Sequence, residues 1–260
     1  MDIISSIVGK INSFLWDFAL LFLLCGTGIY FTIRLKFVQI VKFKDGWDRT
    51  FGGLSLRGKA AGKEGMSSFQ SLATAVAAQV GTGNLAGAAT ALIAGGPGAI
   101  FWMWLSAFFG MATIFVEASL GQQYKTVTES GNAIGGPAYY IKAAFKGPFG
   151  KFLAGLFAIF IILALGFMGN MVQSNSISGA FVNAFPQIKP IYIGIACALV
   201  AAFIFIGGLK RIASFAEKTV PIMALFYIIG SVIILIMNIK NLPSSIVLIF
   251  TSAFNPQAVI

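Results

Sequence analysis

Six runs of the chain are long and apolar enough to decide what must surround it. They cover residues 14–33, 68–94, 98–122, 151–173, 190–209 and 219–239. A bilayer core about 30 Å thick is crossed by roughly 20 apolar residues of α-helix. The pattern therefore predicts an all-α integral membrane protein with six transmembrane helices. Composition agrees: 58% of the 260 residues are hydrophobic and 10% are charged, against about 25% charged in ordinary soluble domains. The first run reads as a span, not as a secretory leader. Asp2 and a single lysine, Lys10, precede it, and "TIRLKF" follows where a small-residue cleavage site would belong.

The charges orient these spans. Net charge is +10, which on its own could indicate nucleic acid. The distribution points to a membrane instead. Segment 34–66 holds eight basic residues: Arg34, Lys36, Lys42, Lys44, Arg49, Arg57, Lys59 and Lys63. Segment 123–151 adds Lys125, Lys142, Lys146 and Lys151, and segment 209–218 adds Lys210, Arg211 and Lys218. Only Lys10, Lys189 and Lys240 fall on the other side of an alternating six-span path. Basic loops stay in the cytoplasm, so the N-terminus is expected outside. The partner of the basic loops is then anionic lipid, with no nucleic acid expected. Segment 132–147, with Tyr139, Tyr140, Lys142 and Lys146, suits a helix lying at the interface.

Enzyme chemistry finds little support. There is no histidine, which removes the commonest general base and most zinc sites. Cys25 and Cys197 lie inside apolar runs and read as inert thiols. Glu117 is the one acid deep in a span and is expected to face protein, because a charge at mid-bilayer costs at least about 2.5 kcal/mol.

The stretch "QVGTGNLAG" (79–87) raises three readings. Gly81-Thr82-Gly83-Asn84-Leu85-Ala86 matches a dinucleotide fingerprint, but no strand precedes it and no acid follows at the required distance. Small residues at four-residue steps (Ala73, Ala77, Gly81; Gly83, Gly87) suit close helix packing. A break in the helix is the third reading. Two glycines flanking Thr82 and followed by Asn84 invite unwinding near mid-span. Unwound backbone at that depth is tolerated where it lines a cavity. The N-terminal end of the second half-helix then attracts a carboxylate, and freed carbonyls attract a cation. Gln79 and Asn84 would add neutral polar groups. On a later span Gly166, Asn170 and Gln173 share one face, where polar groups point inward or to a cavity.

At this point residues 67–124 resemble the sodium:alanine/glycine symporter family. "GTGNLAG" and "GGPGAIFWMW" carry the resemblance, with support from "GGPAYYI", "GNMVQSNSI", "GLKRIASFAEKTVP" and "SAFNPQA". The resemblance implies the first inverted repeat of a LeuT-type fold, preceded by one extra N-terminal helix. It implies Na⁺-coupled symport of alanine or glycine across the cell membrane. Gly81, Thr82, Gly83, Asn84, Gln79, Asn170 and Gln173 would contact the substrate, and the carbonyls of Ala77 and Val80 would hold Na⁺. Gln79 stands where the family pattern leads one to expect a smaller side chain. Residues 241–260 read as the lead-in to a second repeat. The alternative expectation is a half-transporter, inactive alone or dependent on that repeat.

Overall fold

The computed structural model describes residues 2–51, 68–128 and 133–255. The chain is almost wholly helical. Helix α1, Ile3–Arg34, includes a π-helical stretch at Phe14–Leu20. Two short helices follow, α2 (Val38–Val41) and α3 (Phe43–Phe51). Helices α4 (Ser68–Gln79) and α5 (Thr82–Gly95) form a pair bent by 48°. Next comes α6 (Gly98–Gln123), then a hairpin of β1 (Thr126–Val127) and β2 (Ala133–Ile134). Helix α7 (Pro137–Ala144) leads into α8, Pro148–Ala184, which is π-helical at Ile162–Gly169. The last three are α9 (Pro190–Phe205), α10 (Gly208–Met237) and α11 (Leu242–Ser252).

Among the described residues, four helices are long and apolar enough to cross a membrane: α1, α6, α8 and α10. Counting the bent pair as one gives five. The run at 190–209, expected as a sixth, forms only the 16-residue α9. At 1.5 Å per residue that is about 24 Å, short of the bilayer core. Two glycines end it, Gly207 and then Gly208 at φ +68°. Segment 209–218, expected as a polar loop, is instead the start of α10. Lysine, arginine, alanine and glutamate are good helix formers, so the helix outlasts the apolar window. Helix α8 also runs beyond 151–173, to Ala184, through a Ser- and Asn-rich stretch. Of the described part of segment 132–147, residues 133–147, only α7 is helical, and residues 52–67, with Arg57, Lys59 and Lys63, lie outside the described residues.

The interior of the molecule is built from small side chains. Ala73, Ala112, Ala154, Ala213, Ala216 and Ala253 are buried, while Ile206 is 83% and Phe226 74% exposed. Water-soluble folds bury large apolar residues and bring them together. Here helices meet through small residues and present large ones outward, as lipid-embedded helices do. Gly28 on α1 shows how close the approach is. A methyl group there would lie 3.0 Å from both Cβ and the carbonyl oxygen of Phe109 on α6.

The two halves of the bent pair belong to different neighbours. Helix α4 packs mainly on α10, through Ala73 against Ala216 and Val220. Helix α5 packs on α6 and α8. At the far end of α4, Gln70 Nε2 donates to Glu217 Oε2 at 2.8 Å. Pro221 lies one turn after Glu217 in α10 and has no N–H to return to the Glu217 carbonyl. Glu217→Ala should therefore destabilise the detergent-solubilised protein by about 1.5 kcal/mol, a typical loss for a hydrogen bond to a charged group. Thermal unfolding of the variant checks this; an unchanged midpoint would show that the pair contributes nothing to holding α4.

Candidate binding site at the helix break

The bend lies where the sequence places two glycines around one threonine. Gly81 is fully extended at φ −135° and ψ −174°. Its N–H donates to Asn84 Oδ1 at 3.0 Å, and the Asn84 N–H donates back to the Gly81 carbonyl at 3.1 Å. Asn84 thus closes the first turn of α5, one of the roles for which a side-chain amide is favoured at a helix start. In an unbroken helix the Gly81 and Asn84 N–H groups would serve the carbonyls of Ala77 and Val80. Those two carbonyls lose these donors.

The break is met from across the bundle by Gln173 on α8. Its Oε1 accepts from Thr82 Oγ1 at 2.9 Å and from the Thr82 N–H at 3.4 Å. Its Nε2 lies 2.6 Å from where a Cβ on Gly81 would stand. A neutral amide oxygen therefore sits at the positive N-terminal end of α5, a position suited to negative charge. Gly81, Thr82, Asn84 and Gln173 come together here. Gly83 follows Thr82 in the first turn of α5, and a Cβ there would meet nothing within 4 Å.

The remaining predicted residues sit apart. Asn170 Nδ2 donates to the Gly166 carbonyl at 2.8 Å. Its side chain lines an open groove of 730 Å³ between α8 and α9, beside Ser174, Ser178 and Gly194. Three residues along a helix rotate a side chain by about 60°, enough to aim Gln173 at the break and Asn170 past it. Gln79 is exposed at the end of α4. The side chains of Ala77 and Val80 line a 310 Å³ apolar cleft with Phe205, Ala216, Thr219 and Met223, so any cation there would be held by backbone oxygens. Glu117, expected to face protein, is exposed on α6. Burial first, and the Glu117 charge second, hold the Tyr140 hydroxyl on α7 above the usual tyrosine pKa. Trp102 on α6 has a specific partner. Its indole N–H donates to the Ala253 carbonyl at 2.6 Å and ties α6 to the end of α11.

The bent pair is one broken span, its two halves packed on different neighbours. The model of the sodium:alanine symporter family matches residues 1–260. The chain belongs to that family. Its members are transporters, and the chain is a multi-pass membrane protein. It is 43% identical over 259 residues to the sodium/alanine symporter AgcS of Methanococcus maripaludis, covering 99% of this chain and 56% of that one. It is 40% identical to the amino-acid carrier protein AlsT of Bacillus subtilis over 98% of this chain and 52% of AlsT. It is 42% identical to "Probable sodium/glutamine symporter GlnT" of the same organism over 97% of this chain and 51% of GlnT. The chain spans about half the length of the curated relatives it matches.

Gln70 carried no signal in the sequence beyond being polar at the start of a span. Glu217 stands beside Lys218 in the sequence, which does not indicate a partner on α4.

Proposed function

We propose that this symporter couples Na⁺ entry to uptake of a small neutral amino acid, alanine or glycine, across the cell membrane. One observation supports the reading above the others: the break around Gly81 presents donors on one side and released carbonyls on the other. The substrate carboxylate replaces Gln173 Oε1 at the Thr82 N–H and hydroxyl, and Gln173 turns its Nε2 toward the carboxylate. The Ala77 and Val80 carbonyls contribute to the Na⁺ shell. Gly81 and Gly83 have no side chains to crowd the substrate, which favours close approach of the backbone. Relatives are named for alanine and, as a probable symporter, for glutamine, which is consistent with one scaffold serving more than one side chain. Here Gln79, beside the break, is the candidate for setting the size limit.

In this reading α1 is an added helix with the N-terminus outside, α4 to α10 form the first repeat of a LeuT-type fold, and a second repeat closes the site. The energetics suffice: one net charge moving across 100 mV supplies about 2.3 kcal/mol, or about 50-fold accumulation before any Na⁺ gradient. The test is labelled-alanine uptake into proteoliposomes, with the 260-residue chain alone and with a second repeat joined to it. Saturable uptake that disappears when K⁺ replaces Na⁺ supports the proposal. Uptake by the joined form alone favours the half-transporter reading. Uptake indifferent to Na⁺ in both forms would overturn the coupling.

A further inference from the structure

The end of α1 carries a second built feature, away from the helix break. Lys36 and Phe37 both adopt left-handed backbone, at φ +52° and +57°. Successive non-glycine residues in that region are strained and persist only where the surroundings hold them. Two hydrogen bonds do so here: Phe37 N–H to the Thr32 carbonyl at 2.7 Å, and Lys36 N–H to the Ile33 carbonyl at 3.0 Å. This elbow folds α2 and α3 back beside α6. Gln39 fixes the return by donating to Thr32 Oγ1 at 3.0 Å and to the Phe108 carbonyl at 3.4 Å. A cleft of 440 Å³ opens between α2–α3 and α6, within the size range of small-ligand sites. Val38, Phe43, Met111 and Phe115 form its apolar walls. Gln39 lines the cleft, with its Oε1 buried behind that surface and without a hydrogen-bond partner.

The rim is basic and aromatic. Lys42 pairs with Asp45 at 2.8 Å, but its side chain stays 60% exposed. Arg34, Lys36 and Lys44 are exposed nearby, and Phe43 stacks on Trp47 with centroids 6.0 Å apart. The sequence between 34 and 49 has five basic residues and two acidic ones. The cleft begins where the apolar run of α1 ends, and its far wall lies inside the apolar stretch of α6. It therefore joins a greasy slot at acyl depth to a positive rim at headgroup depth. Soluble anions match only the rim, whereas an anionic phospholipid matches both parts.

We propose that this cleft binds one anionic phospholipid, its phosphate on Lys42 and Lys44 and an acyl chain between Phe43, Met111 and Phe115. None of these residues belongs to the helix break, so the site stands or falls independently of Na⁺-coupled uptake. The experiment is native mass spectrometry of the detergent-solubilised protein titrated with phosphatidylglycerol or phosphatidylcholine. One phosphatidylglycerol should bind at concentrations where phosphatidylcholine does not. Lys42→Gln with Lys44→Gln should weaken it about 30-fold, near 5-fold per lysine. Met111→Trp, which fills the slot and leaves the charge, should weaken it comparably. Excess inorganic phosphate should not displace the lipid. Equal binding of the two lipids, displacement by phosphate, or binding unaffected by both variants would each overturn the proposal.

Discussion

Gly81→Ala should leave the protein folded and weaken amino-acid binding by about 10- to 150-fold. The nearest atom to the added methyl is Gln173 Nε2, at 2.6 Å, with Cδ and Oε1 at 3.4 and 3.5 Å. These are the far end of a flexible side chain, so the clash is relieved by swinging Gln173 away and not by moving α8. The swing removes Gln173 from Thr82 and from any carboxylate bound there. A hydrogen bond to a charged group contributes about 1.5–3 kcal/mol, and 1.4 kcal/mol is tenfold in affinity. Gln173→Ala should reproduce the loss without the added methyl. Gly87→Ala is the control, because a Cβ there meets nothing within 4 Å. Equilibrium binding of labelled alanine, with thermal unfolding run in parallel, separates the outcomes. Undiminished binding by both variants would remove Gln173 from the site.

Gly150→Ala should be the most damaging single methyl group for folding. Gly150 is buried in the first turn of α8, and an added Cβ would collide with the Phe145 carbonyl oxygen and lie 2.7 Å from its carbon. Those atoms are backbone. Relief requires opening the corner between α7 and α8, where Gly147 sits at φ +87° and Pro148 starts the helix. Overpacking of this kind costs about 1–3 kcal/mol and can exceed it. Gly155→Ala, five residues on in the same helix, meets nothing within 4 Å. It should be neutral or stabilising, by up to about 1 kcal/mol of helix propensity. Unfolding midpoints in one detergent compare the pair directly. Equal midpoints for the two alanines would mean that the corner is looser than described.

The contrast between these glycines shows what the sequence could and could not display. Gly81 and Gly83 mark the helix break because their meaning is local: flexible residues beside polar ones in an apolar run. Gly150 looks no different from Gly155 in the sequence, since its constraint comes from the Phe145 carbonyl just past the end of α7. The apolar windows locate the spans but not their ends. Residues 209–218 include four charged side chains and are still helical, and 190–209 is apolar yet yields a short helix stopped by Gly207 and Gly208. Gln173 and Asn170 share a helical face in the sequence pattern, but only the fold shows which one reaches Thr82. Gln70 and Glu217 are far apart in the chain, so their pairing depended on α4 packing against α10.

The central claim is that the positive end of α5, with Thr82 and Gln173, binds a carboxylate. It is tested most directly by competition against labelled alanine at fixed Na⁺, using alanine and alaninamide. The two competitors share the methyl and amino groups and differ in the carboxylate. Unlabelled alanine should displace the label, and alaninamide should fail at concentrations at least about tenfold higher. Displacement by alaninamide at the same concentration as alanine would contradict the account, because the charge it assigns to the helix break would then contribute nothing.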